Sequence, residues 1–252
     1  MSGSGENTAH VMTENMEVAY PGGRTRFPSR TRFRIEREQI LFIHKTAKRI
    51  FDILFSIVLI VFSIPLFFVI AAAIKLSSKG PVFFRQDRVG LNGTHFLIWK
   101  FRTMRVEQSK RTHQQFVQNL LNDEENENNE ALLKEYLSYL DERLTLVGRF
   151  LRASSLDELP QLFNIFKGEM SFVGPRPHPV YEVDEYKEWY KRRLHVKPGL
   201  TGWSKINLRL TPKNYEEAIL FDLWYVDHWS FLLDLRILLL TVPFVLSMKD
   251  AH

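Results

Sequence analysis

The feature that most constrains the fold of this chain is a run of 22 residues without a charged side chain, residues 53–74. A straight α-helix of that length is about 33 Å long, which is enough to cross the hydrocarbon core of a bilayer. The 20 phenylalanines of the chain are a further indication of a surface that faces lipid. We therefore predict a membrane helix over residues 45–79, which include the basic residues on either side of the run.

Two features of this segment favour a bend over a plain crossing. Pro65 removes a backbone hydrogen bond near the middle, and Ser63 can bond to a carbonyl that the proline leaves free. Basic residues flank both ends, and positive charge favours the cytoplasmic side. We predict a re-entrant helix hairpin with its break at Ser63 and Pro65, and keep a full crossing as the alternative. The flanking residues are Lys45, Lys48 and Arg49 before the run, and Lys75, Lys79, Arg85 and Arg88 after it.

Residues 1–44 have the composition of a flexible tail, polar at first and rich in arginine between 24 and 37. They contain no apolar core followed by a small-residue cleavage site, so they do not resemble a signal peptide. The alternative to a solvated tail is a basic arm that rests on anionic lipid.

The overall composition limits the classes of function. The chain has 252 residues, room for one catalytic domain with appendages, and Lys and Arg exceed Asp and Glu by 34 − 29 = 5. This mild excess suits an anionic membrane surface, a phosphorylated substrate or nucleic acid. The chain has no cysteine, which excludes disulfides and thiolate metal sites.

After residue 80 the pattern changes to the two-residue period of β-strands. Residues 82–86 and 95–102 read as a β-hairpin around a turn at 90–93. The alternation places Lys100 and Arg102 on one face of the second strand, as phosphate-binding side chains would be. An edge strand with solvated charges is the alternative.

The rest of the chain is predicted to be mainly helical. The fold class is therefore α+β, mostly helical, with interfacial amphipathic helices and a catalytic domain over residues 80–247. The predicted segments are a helical insertion at about 106–140, an amphipathic helix over 180–194, a rigid turn at 197–203, and a short apolar stretch, 237–246, that lies in the membrane interface or in the core.

The stretch from residue 152 to residue 177 is the best candidate for chemistry. It places the adjacent carboxylates of Asp157 and Glu158 between Arg152 and Arg176. Such a combination can bind a metal ion and a phosphate together. The structural alternative is a capping box, in which Ser155 and Glu158 begin a helix whose first turn favours acidic residues.

Eight short motifs in a fixed order make the chain resemble the bacterial sugar transferases that are monotopic phosphoglycosyl transferases. That family moves a sugar 1-phosphate from a UDP-sugar to undecaprenyl phosphate. The motifs are KRIFD (48–52), GPVFFRQ (80–86), RVG (88–90), KFRTM (100–104), RFLR (149–152), SLDELPQL (155–162), GEMSFVGPRP (168–177) and KPGLTG (197–202).

The resemblance implies a covalent mechanism and assigns residues to it. Asp157 is expected to attack the sugar-linked phosphate and expel UMP, with Glu158 as a second catalytic carboxylate. Both carboxylates are the expected contacts for Mg²⁺. The expected phosphate-binding residues are Arg152, Arg176, Lys100, Arg102 and Arg88.

The resemblance also implies a location and a set of partners. The protein is expected at the cytoplasmic face of the bacterial inner membrane, in contact with the lipid bilayer and without a nucleic-acid partner. Its reaction would be the first membrane step in the assembly of a polysaccharide or glycoconjugate. A membrane-anchored nucleotide-sugar hydrolase and a non-catalytic membrane-binding module are the alternatives. The sequence indicates neither the sugar nor the oligomeric state.

Overall fold

The computed structural model describes residues 30–106, 138–139, 141–208 and 215–246, with side chains over 42–243 within these ranges. The chain divides into two compact units, Met1–Ile40 and Leu41–His252. In the first unit the structure describes the beginning of the long helix α1. The helices are α1 (Arg30–Ser77), α2 (Leu146–Ala153), α3 (Gln161–Lys167), α4 (Val180–Asp184), α5 (Trp203–Asn207), α6 (Tyr215–His228) and α7 (Phe231–Leu246). The strands are β1 (Phe83–Val89), β2 (His95–Phe101), β3 (Ser171–Val173) and β4 (Gly199–Thr201).

Helix α1 is a single helix of 48 residues that contains Pro65. Its portion Phe42–Ser77 is long and apolar enough to cross a membrane. The helix begins at Arg30, so residues 30–44 of the predicted tail belong to α1, and the flexibility of the tail stays a prediction. Residues 1–29 of that prediction lie outside the described part. The predicted break at Ser63 and Pro65 is not confirmed, because the helix is continuous there, and the hairpin stays a prediction.

One side of α1 packs on the rest of the chain and the other side is exposed. The buried positions share one stripe, because 18 residues make five helical turns. They are Asp52, Ser56, Ile70 and Ile74. Between residues 53 and 74 the exposed side of the helix is apolar and includes Leu54, Val58, Val61, Phe62, Phe68 and Val69. A continuous exposed apolar surface of this kind suits contact with lipid.

The predicted β-hairpin is confirmed. Strands β1 and β2 pair antiparallel, with Phe83 opposite Phe101 and Val89 opposite His95. The turn between them is a 3₁₀ turn in which Asn92 has a φ of 52°. The hairpin presents β2 to α3, where the side chain of Asn164 bonds the backbone of that strand.

A second sheet of two strands was not predicted. Strands β3 and β4 pair in parallel, and β4 lies inside the segment that the sequence suggested was an irregular turn. The backbone at Gly174, just after β3, passes very close to the backbone at Gly199, the first residue of β4. A β-carbon on Gly199 would lie 2.1 Å from the backbone nitrogen of Gly174, so this crossing requires glycine.

Other segments differ from prediction in detail. The single helix predicted over 180–194 is divided into α4 and a 3₁₀ helix, Glu188–His195. Helix α7 begins at Phe231, six residues before the predicted apolar stretch. Ile237 is buried in the core and Leu239 is exposed, and the predicted setting in the membrane interface stays a prediction. The insertion predicted at about 106–140 lies almost entirely outside the described residues.

The main apolar core joins β2, α3, β3 and the last two helices. A smaller cluster packs the end of α1 on β2 and α2 through Ile70, Ile74, Phe101 and Leu151. Between these two clusters runs the short connection from α2 to α3, which carries the candidate site. The main core contains Phe96, Ile98, Leu162, Ile165, Met170, Phe172, Val173, Tyr225 and Ile237.

Candidate active site

Asp157 and Glu158 lie on a 3₁₀ turn, Leu156–Glu158, between α2 and α3. The residue before the turn, Ser155, has a left-handed backbone with a φ of 55°, and its side chain does not cap the turn. The capping-box alternative is therefore wrong, because an N-cap residue has an extended backbone and a bonded side chain. A left-handed serine costs about 1–3 kcal/mol and is typical of functional sites.

Two lysines from other elements hold the carboxylates. Lys100 on β2 places its Nζ 2.9 Å from Oε1 of Glu158 and 4.0 Å from Oδ2 of Asp157. Lys205 on α5 places its Nζ 3.4 Å from Oε2 of Glu158. The sequence interpretation included Lys100 but missed Lys205. The signal for Lys205 was its position, three residues after the KPGLTG motif.

The surroundings push the two carboxylates in opposite directions. Burial alone would raise the pKa of Glu158, but Lys100, Lys205 and Arg176 together lower it. For Asp157 burial prevails: it raises the pKa, the charge of Glu158 raises it further, and Lys100 only partly offsets both. Glu158 is therefore ionised, whereas the surroundings of Asp157 disfavour its negative charge.

Arg152 and Arg176 each act on one of the carboxylates through their charge. Arg152 on α2 donates from Nε to Oγ1 of Thr103 at 3.2 Å, and its charge lowers the pKa of Asp157. The charge of Arg176, which follows β3, lowers the pKa of Glu158. The structure thus brings five of the predicted catalytic and phosphate-binding residues together: the two carboxylates, Lys100 and these two arginines.

Arg88 lies behind Arg176. Burial and the nearby charge of Arg176 lower the pKa of Arg88 to about 10. One of its terminal nitrogens donates to the carbonyl oxygen of Pro177 at 2.9 Å, and the other donates to Gln86 at 2.7 Å. Arg88 therefore braces the loop that carries Arg176 and adds positive charge behind it.

Arg102 is used elsewhere in the structure. Its guanidinium donates to the carbonyl oxygens of Lys79 at 2.7 Å and Ser78 at 2.8 Å, just after α1 ends. The side chain is buried, with 6% of its surface exposed. The prediction that Arg102 binds phosphate gains no support from these contacts, which anchor the end of α1.

A buried polar network that the sequence did not reveal supports the loop at Arg176. Arg193 donates to the carbonyl oxygen of Arg176 at 2.9 Å and pairs with the buried Asp222 at 2.5 Å. Burial, together with the charges of Arg193 and Arg176, lowers the pKa of His178 well below its ordinary value. His178 is therefore a neutral polar residue of the core. Its Nδ1 shares a hydrogen bond with the hydroxyl of Tyr186 at 2.7 Å.

The donor set at the site is compatible with Mg²⁺ that is shared with a substrate. Within the described ranges, no group of three or more His, Cys, Asp or Glu side chains is placed to hold a metal. Mg²⁺ usually takes one or two carboxylates and completes its shell with water and substrate phosphates. Both oxygens of Glu158 already contact lysines, so Asp157 is the better ligand.

Comparison with known proteins gives the family. The model of the family described as bacterial sugar transferase matches residues 43–248. A UDP-glucose:undecaprenyl-phosphate glucose-1-phosphate transferase from Xanthomonas campestris pv. campestris is 41% identical over 214 residues, 82% of this chain and 40% of that protein. The uncharacterized sugar transferase EpsL from Bacillus subtilis is 42% identical over 199 residues, 79% of this chain and 87% of that protein.

A third relative is similar to this chain to about the same extent. The exopolysaccharide production protein ExoY from Sinorhizobium fredii is 40% identical over 210 residues, 82% of this chain and 88% of that protein. The chain spans about 40% of the length of the glucose-1-phosphate transferases from Xanthomonas, Escherichia and Klebsiella that it matches. The family match covers most of the chain and includes both carboxylates, so the chain belongs to the bacterial sugar transferase family.

Proposed function

We propose that this protein transfers a sugar 1-phosphate from a UDP-sugar to undecaprenyl phosphate and releases UMP. The observation that carries the proposal is the pair Asp157 and Glu158, held by Lys100 and faced by Arg152 and Arg176. Relatives that share this region are named glucose-1-phosphate transferases with UDP-glucose and undecaprenyl phosphate as substrates. The reaction would be the first membrane step in making a polysaccharide or glycoconjugate.

We assign the two halves of the reaction to Asp157. Its carboxylate oxygen attacks the phosphorus that carries the sugar, the bond to the UMP oxygen breaks, and a phosphosugar–aspartate forms. A phosphate oxygen of undecaprenyl phosphate then attacks the same phosphorus and releases the carboxylate. The raised pKa of Asp157 is consistent with a reactive anion that its surroundings stabilise poorly.

The cations of the site make this attack feasible. A carboxylate must approach a doubly charged pyrophosphate, and Lys100, Arg152 and Arg176 lower the repulsion. Glu158 stays ionised and keeps Lys100 and Lys205 in place. When bound by Asp157 and the substrate phosphates, Mg²⁺ would supply further neutralisation of the leaving UMP.

We further propose that α1 enters and leaves the membrane at one face, as a re-entrant helix. Before Pro65, Asp52 accepts bonds from Ser171 and Phe172; after it, Ile74 packs with Phe101 and Leu151. Both ends of the segment thus contact the same catalytic domain. A polar domain cannot lie on both sides of a bilayer, which supports entry and exit on one side. Because UDP-sugars are made in the cytoplasm, we propose that this side is the cytoplasmic face of the inner membrane.

A coupled assay tests the proposed reaction. Purified protein is incubated with UDP-glucose and Mg²⁺, with and without undecaprenyl phosphate, and both UMP and lipid-linked sugar are measured. The proposal predicts a lipid-linked sugar phosphate and continuous UMP release only with the acceptor. Continuous UMP release with free sugar phosphate and without acceptor would indicate a hydrolase instead. A panel of other UDP-sugars identifies the preferred sugar.

A further inference from the structure

Two cationic side chains, Arg49 and Lys197, meet beside Gly168, where α1 packs on the catalytic domain. A β-carbon on Gly168 would lie 3.1 Å from the guanidinium of Arg49 and 3.3 Å from Nζ of Lys197. Gly168 ends α3 with a φ of 90°, a conformation that favours glycine. Because this position has no side chain, the two positive groups share the space beside it.

Within the described residues no carboxylate forms an ion pair with either group. Arg49 instead donates to the carbonyl oxygens of Ile165 and Phe166, each at 2.8 Å. These bonds use two of the five N–H donors of a guanidinium. The neighbouring Lys48 differs, because its Nζ pairs with Asp234 at 2.6 Å. Within the part of the chain that the structure describes, the positive charge around Lys197 thus exceeds the negative charge, which comes from Asp52.

The electrostatics of Lys197 agree with this geometry. Burial lowers the pKa of Lys197, and the charges of Arg49 and Lys48 lower it further, with only Asp52 acting in the other direction. A bound anion would relieve this repulsion.

The position of Arg49 beside an exposed apolar surface indicates which class of anion Arg49 and Lys197 would bind. Arg49 is the last basic residue before the uncharged run of α1. Exposed apolar side chains follow Arg49 on α1 and also occur at the end of α3, whose carbonyl oxygens accept its hydrogen bonds: Ile50, Leu54, Phe55 and Phe166. Basic residues at such a boundary lie at the level of lipid headgroups.

We propose that Arg49 and Lys197 bind the phosphate of a membrane lipid beside Gly168. The remaining guanidinium donors of Arg49 and the ammonium of Lys197 would take its oxygens as charge-assisted hydrogen bonds. The acyl or prenyl chain would then run along the exposed apolar side of α1. The proposal uses neither Asp157 nor Glu158, so it stands or falls independently of the transfer reaction. Its role would be to fix the depth of α1 and of the domain.

The test measures lipid binding by native mass spectrometry of the full chain released from detergent. Three probes are added in turn: phosphatidylglycerol, undecaprenyl phosphate, and diacylglycerol, which lacks phosphate. We expect Lys197→Ala to weaken binding of a phosphate-bearing lipid about fivefold or more, since one basic residue near a membrane surface contributes a factor of that order. Lys197→Arg should restore it. Comparison of the two phosphate lipids identifies which of them is the ligand.

Lys167→Ala is the matched control, because Lys167 is an exposed lysine next to Gly168 in the chain. It should bind all three lipids as the wild type does. Equal binding of phosphate lipids by the wild type and Lys197→Ala would overturn the proposal. So would an equal loss for diacylglycerol, since the effect would then not involve phosphate. Matching thermal unfolding of the variants shows that any loss is not due to misfolding.

Discussion

Asp157 and Glu158 are adjacent in the chain, yet their roles differ because their neighbours differ. Glu158 contacts two lysines, whereas Asp157 is buried beside that anion with Lys100 at 4.0 Å. An environment that disfavours the charge of Asp157 should also reduce the stability of the fold when that residue is ionised. This is a common cost at catalytic sites.

The variant Asp157→Asn tests this cost. A raised pKa means that stability is fully present below the unfolded pKa, near 3.8, and is lost as the pH rises through the folded pKa. We therefore expect Asp157→Asn to be more stable than the wild type at pH 7, with the difference vanishing near pH 3.8 or below. Thermal unfolding in detergent across this pH range measures it. A variant that is less stable at pH 7 would contradict the pKa direction.

Lys205 offers a second test at the scale of single residues. Lys205→Ala removes a contact with Glu158 and a positive charge from the site. We expect the rate of UMP release to fall about five- to tenfold, which corresponds to the loss of one ordinary hydrogen bond. Lys205→Arg should retain most of the rate. Lys191→Ala, which removes an exposed lysine paired with Glu188, should behave as the wild type, and an equal fall there would remove the case for Lys205.

At the scale of elements, the C-terminal end of β2 carries a cation of the candidate site, Lys100, and two residues later a structural cation, Arg102. The hairpin was predictable, because two runs rich in aromatic and β-branched residues flank the turn residues at 90–93. The pattern could not show that the end of α1 would use Arg102, since these partners are more than 20 residues away in the chain. Similarly, β4 has only three residues, too few for a periodic signal.

Variants of Arg176 and Arg102 can distinguish an arginine that binds the substrate phosphate from one that stabilises the fold. Arg176→Ala should raise the KM for the UDP-sugar about 10- to 100-fold through a lost charge-assisted contact, with little effect on stability. Arg102→Ala should leave the KM nearly unchanged but lower the free energy of unfolding by about 2–3 kcal/mol, because carbonyl oxygens at the end of α1 lose their donor. Steady-state kinetics and denaturant unfolding distinguish the two. The reverse pattern would restore Arg102 as a phosphate-binding residue.

At the scale of the whole molecule, the sequence motifs located the carboxylate pair, but not the lysine, arginine and histidine contacts that support it. Arg193 and Asp222 are 29 residues apart, and Lys205 and Glu158 are 47 apart. No local pattern records such pairs. The membrane helix was predictable from its composition, whereas its course through the bilayer depends on which faces meet the domain.

Labelling of single cysteines tests that course. The chain has no cysteine, so Ser4→Cys and Ser247→Cys each introduce one thiol. A re-entrant α1 predicts that both are protected from a membrane-impermeant thiol reagent in intact cells and that both react after lysis. Labelling of Ser4→Cys alone in intact cells would establish a full crossing.

The central claim is the covalent step at Asp157, and one measurement addresses it directly. The enzyme is incubated with UDP-glucose and Mg²⁺ without acceptor, quenched, and digested for mass spectrometry. We predict a hexose-phosphate adduct on the peptide that contains Asp157, its disappearance when undecaprenyl phosphate is added, and no adduct in Asp157→Asn. An active enzyme that shows no adduct on this peptide, together with near-normal turnover by Asp157→Asn, would contradict the claim.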